Sequence, residues 1–265
     1  MADFQYVLMA LIGAGGGLIS GAVGLAGGIF IVPALVALLG TQVMGDAIVV
    51  SFFAVLLNSL SATIENRKAR GKEAYRALVD GAGWYTCGAA VAALAVAILF
   101  GRHQDAISKP LLASLQLLLA ICMLIPRRWY EDLRAVRNRL KDAAVGSIVG
   151  GVSTLIGVGG GTYTIFYFLV HGREIKDCTL TSNFVGIFIG LMGIVGYYGY
   201  ALLSAGGSLA GGHGISALGK VLLIGFGVIA SPLGVRLQSR LPAAAIKKIV
   251  VIVLACSSSY VLLRA

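Results

Sequence analysis

The feature that most constrains this chain is a pair of apolar segments too long to be single membrane helices. Phe4 to Leu39 carries no charged residue. As one straight α-helix it would be about 54 Å long, at roughly 1.5 Å per residue. The hydrocarbon core of a bilayer is only about 30 Å thick. The segment 142–170 is overlong in the same way. Both are interrupted by a glycine cluster: GLAGGIFIVPAL from Gly24 to Leu35, and GVGGGTYTIFYF from Gly157 to Phe168. Glycine costs about 1 kcal/mol against alanine inside a helix, so a cluster marks a place where the helix gives way. The spacing predicts two broken helices, 5–22 with 27–39 and 142–156 with 160–170.

The chain has 265 residues, of which 58% are hydrophobic and only 12% charged. That is too little polar surface for a soluble domain. The expectation is an all-α polytopic membrane protein with the bilayer as its solvent. Further spans fall near 44–64, 77–100, 106–125, 176–199, 217–235 and 243–263. The N-terminus lacks a basic leader region and a small-residue cleavage site, and reads as a retained membrane segment. The net charge of +10 does not point to nucleic acid. Its basic residues collect in three short connectors, 67–76, 127–141 and 236–248, which is how cytoplasmic loops are marked. The four cysteines, Cys87, Cys122, Cys178 and Cys256, form no metal or redox pattern. Neither a cofactor nor a metal is expected, and no phosphate-binding loop for ATP is present.

Charge placement also orients the broken segments. If each crossed the membrane once, the basic connector 236–248 would fall outside and the charge-free stretch 200–215 inside. If each folds back as a hairpin, then 65–76, 126–141, 171–177 and 235–248 all lie inside, with both termini outside. Each half then comprises one re-entrant pair and three crossings. An odd number of crossings inverts the second half relative to the first, as in many transporters. The boundaries expected are a first repeat over 1–125, a basic linker over 126–141 and a second repeat over 142–265. Direct similarity supports the duplication. Gly24, Gly27 and Gly28 match Gly157, Gly160 and Gly161 at an offset of 133, and DAIVVS (Asp46 to Ser51) matches DCTLTS (Asp177 to Ser182) at an offset of 131.

A helix that begins inside the membrane leaves its first N–H groups without intrahelical partners. Its N-terminus carries roughly half a positive charge. Two such ends, at Gly27–Gly28 and Gly160–Gly161, could hold an anion without lysine or arginine. The competing view is that the glycines only allow close helix packing. Thr181, Ser182 and Asn183 add hydroxyl and amide donors, against Ser51 alone in the first half, and Thr162 and Tyr163 follow the second turn. Such hydroxyls also commonly bond to their own backbone. Asn58 and Gln116 read as interhelical hydrogen-bonding residues, with lining of the path as the alternative. Asp46 and Asp177 read as helix-capping residues, with proton coupling as the alternative. His103, His171 and His213 fall in loops without ligand spacing.

These motifs, in this order, resemble the sulfite exporter TauE/SafE family of membrane proteins, and LGVRLQSRLPAAAIKKIVVIVLACSSSYVLL resembles that family's last two helices. The resemblance implies transport of sulfur-containing anions such as sulfite, thiosulfate or organosulfonates across the bacterial inner membrane. The partners expected are such an anion and the lipid bilayer, with a proton or sodium ion as the candidate coupling ion. Carried over residue by residue, it places the binding motifs on Gly24, Gly27, Gly28, Gly157, Gly160, Gly161, Thr181, Ser182 and Asn183. Phe52 stands where the second half has Asn183, which puts a symmetric site in doubt. An alternative is a membrane anchor or partner subunit for a soluble enzyme. An intramembrane enzyme would need a nucleophile–base pair or a metal cluster at depth, and the sequence shows neither.

Overall fold

The computed structural model describes residues 2–25, 27–40, 44–100, 114, 117–118, 120–121, 138–203 and 215–263. Among them are ten helices and no strand. In chain order they are α1 (Ala2–Val23), α2 (Gly28–Leu39), α3 (Met44–Arg70), α4 (Lys72–Asp80), α5 (Gly83–Phe100), α6 (Arg139–Leu155), α7 (Gly161–Val170), α8 (Ile175–Leu203), α9 (Ala217–Arg240) and α10 (Ala243–Leu263). Five of these contain stretches long and apolar enough to cross a membrane: Phe4–Val23, Gly45–Arg70, Gly83–Phe100, Ile175–Tyr200 and Ala217–Arg240. In hydrocarbon a backbone must satisfy its own hydrogen bonds, and helices of this length do so. The chain is a polytopic membrane protein.

Both long segments break where the glycines fall, α1 giving way to α2 and α6 to α7. The chain then doubles back. A Cβ built on Gly27 would lie 3.0 Å from the carbonyl oxygen of Gly16, although a straight helix would put these residues about 16 Å apart. Gly160 does the same against Val149, with 3.4 Å from such a Cβ to the Val149 side chain. The two contacts are equivalent at the offset of 133.

The sequence expectation differs from the structure at two places. The span expected over 77–100 starts at Gly83, because 72–80 form the separate helix α4, whose Tyr75 is its buried residue. The connector after residue 64 is helical, since α3 continues to Arg70 and carries Arg67, Lys68 and Arg70 in its last turn. Cations are favoured there by the helix dipole. Most of the fourth span and of the basic linker, with Gln116, His103, His213 and Cys122, lies outside the described residues.

Helix pairing follows small residues spaced four apart. Gly13, Gly17 and Gly21 on α1 press against the backbone of Leu223, Gly227 and Ser231 on α9, so closely that a methyl group on any of the three would collide with a carbonyl. Gly146 and Gly150 on α6 meet Tyr85 and Ala89 on α5 in the same way. The first helix of each half therefore packs on the third span of the other, at matched offsets of 133 (Gly13 to Gly146) and 138 (Tyr85 to Leu223). Small residues let backbones approach where water supplies no hydrophobic drive between helices.

The charged connectors gather at one end. Arg70 forms an ion pair with Asp177. Arg236 Nε lies 2.8 Å from Glu65 Oε1, Lys176 Nζ donates to the Ser239 carbonyl at 3.3 Å, and Arg173 donates to the Leu78 carbonyl at 3.2 Å. Residues 65–78, 173–177 and 236–239 thus share one face of the protein. Single crossings of the two broken segments would have put 171–177 opposite 65–76. The fold-back is what brings them together.

Replacing Gly17 by leucine is expected to prevent the α1–α9 contact and abolish monodisperse protein on size exclusion in detergent. Gly225→Ala, where a Cβ meets nothing within 4 Å, is expected to leave the elution profile unchanged.

Candidate functional site

The two breaks meet. Each half's short helix begins against the other half's glycine turn. A Cβ on Gly28 would lie 2.9 Å from the Gly157 carbonyl oxygen and 3.1 Å from Val158 Cα. One on Gly161 would lie 2.5 Å from the Gly24 carbonyl oxygen and 3.0 Å from Leu25 Cα. Any side chain at either position would drive the turns apart. The helices that follow complete the match. Gly24 faces Thr179 on α8, at 2.6 Å from its carbonyl oxygen to the Cβ position, and Gly157 faces Ile48 on α3, at 2.8 Å. Ile48 and Thr179 hold the same place in DAIVVS and DCTLTS.

Two serines tie the crossing. Ser51 Oγ donates to the Gly157 carbonyl at 2.7 Å. Ser182 Oγ lies 2.6 Å from the Gly24 carbonyl and 3.1 Å from that of Gly161, sharing its single proton between them. A carbonyl exposed by a glycine turn in an apolar interior needs such a donor. Thr164 donates within its own helix to the Gly160 carbonyl at 2.9 Å, and Tyr85 of α5 lies 3.1 Å from its hydroxyl.

Gly27 and Gly160 are the N-caps of α2 and α7, with φ of 74° and 68°, and neither helix has a side-chain cap. Only glycine adopts this left-handed conformation without strain. Among the buried polar atoms without a protein partner are Ser20 Oγ, Ser153 Oγ, Thr162 Oγ1 and both amide atoms of Asn183 and of Asn58, of which Ser153 Oγ stands beside Gly160 and the Asn58 amide beside Gly27. All five residues are fully buried. Ser20 and Ser153 are themselves matched at the offset of 133. None of the residues named at the crossing carries a formal charge, so any anion held there would meet dipoles and hydroxyls only.

Not every expected site residue comes to this place. Gly24, Gly27, Gly28, Ser51, Gly157, Gly160, Gly161 and Ser182 do, with Thr162 and Asn183 adjoining them in the chain. Thr181 does not. Its hydroxyl donates to the Asp177 carbonyl at 2.9 Å and accepts from Arg173 at 3.2 Å, toward the basic end. Tyr163 packs against the main apolar core, its hydroxyl without a protein partner. Asp177 spends its carboxylate on Arg70 rather than on a helix cap, although it keeps its place in the first turn of α8. Cys178 faces the Arg173 carbonyl at 3.8 Å, away from the crossing. Sequence reasoning passed over Ser20 and Ser153, whose shared offset was the available signal.

Two cavities lie elsewhere. One of about 310 Å³ is lined by Ile19, Phe30, Pro33 and Ile252, and one of about 140 Å³ by Asp46, Phe53, Tyr197 and Lys220. Neither touches the six motif glycines.

Long apolar helices folded back on glycine turns, with serine donors buried where the turns meet, define a polytopic membrane protein rather than a soluble binding protein. Comparison with known proteins agrees. The profile of the family described as Sulfite exporter TauE/SafE matches residues 9–261, and the chain belongs to that family. It is also similar to a "Probable membrane transporter protein" of Haemophilus influenzae, with 26% identity over 260 residues, covering 92% of this chain and 94% of the relative. No solved structure matches the chain.

Removing the Ser51 hydroxyl takes the side-chain donor from the Gly157 carbonyl, and removing that of Ser182 takes it from the Gly24 carbonyl. Each unpaired group costs about 1–3 kcal/mol. Ser51→Ala and Ser182→Ala are therefore each expected to lower the unfolding midpoint in detergent, measured by differential scanning fluorimetry.

Proposed function

We propose that this protein is a secondary transporter or facilitator that moves a sulfur-containing oxyanion, such as sulfite, thiosulfate or an organosulfonate, across the bacterial inner membrane. The observation that carries the proposal is the meeting of two helix N-termini without side-chain caps, with Thr162 in the first turn of one and Asn183 next to Ser182 in the chain, both buried and without a protein partner. An unsatisfied buried polar group is costly, and an oxyanion would satisfy several at once. Substrate-free donors also explain why the second half is the more polar: Thr162 and Asn183 stand where the first half has Ile29 and Phe52. The family supports the sulfur-anion class.

On this proposal residues 1–125 and 142–265 are inverted repeats joined by the basic linker 126–141, with Gly24, Gly27, Gly28, Ser51, Gly157, Gly160, Gly161, Thr162, Ser182 and Asn183 forming the substrate site. The matched α1–α9 and α6–α5 contacts support it. The packed crossing is then an occluded arrangement, and transport requires the two turns to part. A proton or sodium ion supplies the coupling. The end holding Arg70, Arg173 and Arg236 faces the cytoplasm, by the excess of basic residues in short loops, and both termini face the periplasm.

A thermal-shift panel of sulfite, thiosulfate, taurine, sulfoacetate and chloride on purified protein tests the site. A ligand at about 100 times its Kd is expected to stabilise by about 2.7 kcal/mol. Thr162→Val, which keeps the shape and removes the donor, is expected to weaken that response. Equal responses from both proteins, or stabilisation by chloride alone, would remove the support for the site.

Orientation is tested separately. Glu73→Cys and Arg240→Cys are expected to react with a membrane-impermeant maleimide only in inside-out vesicles, and Ala217→Cys only in right-side-out ones, each read against the unsubstituted chain. The reverse pattern would overturn the assignment.

A further inference from the structure

We infer that Asn58 is a second anion-contacting carboxamide, supplied by the first half at the start of α2; the inference rests on the transport site proposed above. Asn58 follows Ser51 by seven residues on α3, two turns along, so both lie on one helix face. Ser51 reaches the crossing through its bond to Gly157. The Asn58 side chain sits just beyond, in a niche made by absent side chains. A Cβ on Gly227 would lie 2.7 Å from its Oδ1 and 3.0 Å from its Nδ2, and one on Gly27 would lie 3.4 Å from Nδ2. Gly27 is the N-cap of α2. The amide therefore stands beside that helix's positive end.

Asn58 is fully buried, and neither amide atom has a protein partner. Its position is nonetheless held, because its backbone carbonyl accepts a hydrogen bond from Ser231 Oγ at 2.8 Å. An interhelical hydrogen-bonding role would show a partner for the side chain, and none is present. A leucine has nearly the same shape and would carry no unsatisfied group. What the amide offers beyond leucine is a donor pointed at a place where negative charge is favoured.

Comparison of the halves sharpens the point. At the offset of 131 the counterpart of Asn58 is Ile189, whose Cδ1 lies 2.6 Å from a Cβ position on Gly160. It occupies beside Gly160 the place that Asn58 occupies beside Gly27. The counterpart of Asn183 is Phe52. Each half thus gives one carboxamide, at a different level of the same pair of helices. The lopsidedness expected from Phe52 opposite Asn183 is offset by Asn58 opposite Ile189. An anion at the crossing would be held from both halves by two staggered amides.

The test compares Asn58→Leu, Asn58→Ser and Asn183→Leu with the parent protein in detergent. The readouts are the unfolding midpoint without anion and the Kd for sulfite and for sulfoacetate. Asn58→Leu is expected to unfold at the same temperature or higher, and to bind the anions about tenfold more weakly or worse, the loss of one hydrogen bond to a charged group. Asn58→Ser, which keeps a shorter donor, is expected to fall between. An unchanged Kd with a lowered midpoint, or failure of both Asn58 variants to fold, would make Asn58 a structural residue and overturn the inference. Loss of binding in Asn183→Leu at the same time would leave the transport site standing. No anion-dependent shift in the parent protein would overturn the site and the inference together.

Discussion

Everything in this structure depends on how a helix can be interrupted inside an apolar protein. A break frees N–H and C=O groups, and in hydrocarbon each free group costs several kcal/mol. Here each break is answered by the other. Ser51 of the first half meets the carbonyl of Gly157, and Ser182 of the second meets that of Gly24. The bonds are reciprocal because the motifs are duplicated. One broken helix alone would be a defect; two facing each other supply partners for most of what they expose.

Glycine serves two purposes, and position separates them. Gly13, Gly17 and Gly21 sit within α1, where the absence of a side chain lets α9 come close. That is packing, and it uses nothing else about glycine. At Gly27 and Gly160 the backbone has turned left-handed, so the chain reverses and two helix ends point inward. Gly28 and Gly161 then let the turns touch. The packing account expected from the sequence therefore holds for Gly13, Gly17 and Gly21, and the binding account is proposed for the glycines of the two turns.

The polar groups left over have a clear distribution. Thr164, Thr154 and Thr86 bond to the backbone one turn earlier, as hydroxyls in apolar helices commonly do. Thr162, Ser153, Ser20, Asn58 and Asn183 do not. Of these, Ser153 lies beside Gly160 and Asn58 beside Gly27. The ion pairs of Arg70 with Asp177 and of Arg236 with Glu65 lie at one end of the protein, and none of the residues named at the crossing is charged. An anion held there, as proposed above, would meet only weak dipoles that a small movement can withdraw.

The sequence alone determined the long apolar helices, the two breaks and the sharing of one face by 65–76, 171–177 and the start of 236–248. These follow from local rules: hydrophobic length, the poor helix propensity of glycine and the placement of Lys and Arg. The matched motifs were legible because Gly24 pairs with Gly157 at an offset of 133 and Ser51 with Ser182 at 131. Which polar residues remain without partners was decided only by the tertiary structure. Thr181 and Ser182 are neighbours in sequence, yet one turns to Arg173 and the other to the crossing. Asn58 looks like any interhelical amide until Gly227 and Gly27 are seen to leave it room and nothing to bond with. Hydrogen-bond satisfaction is a sum over contacts between distant segments, and no local pattern in a chain carries that sum.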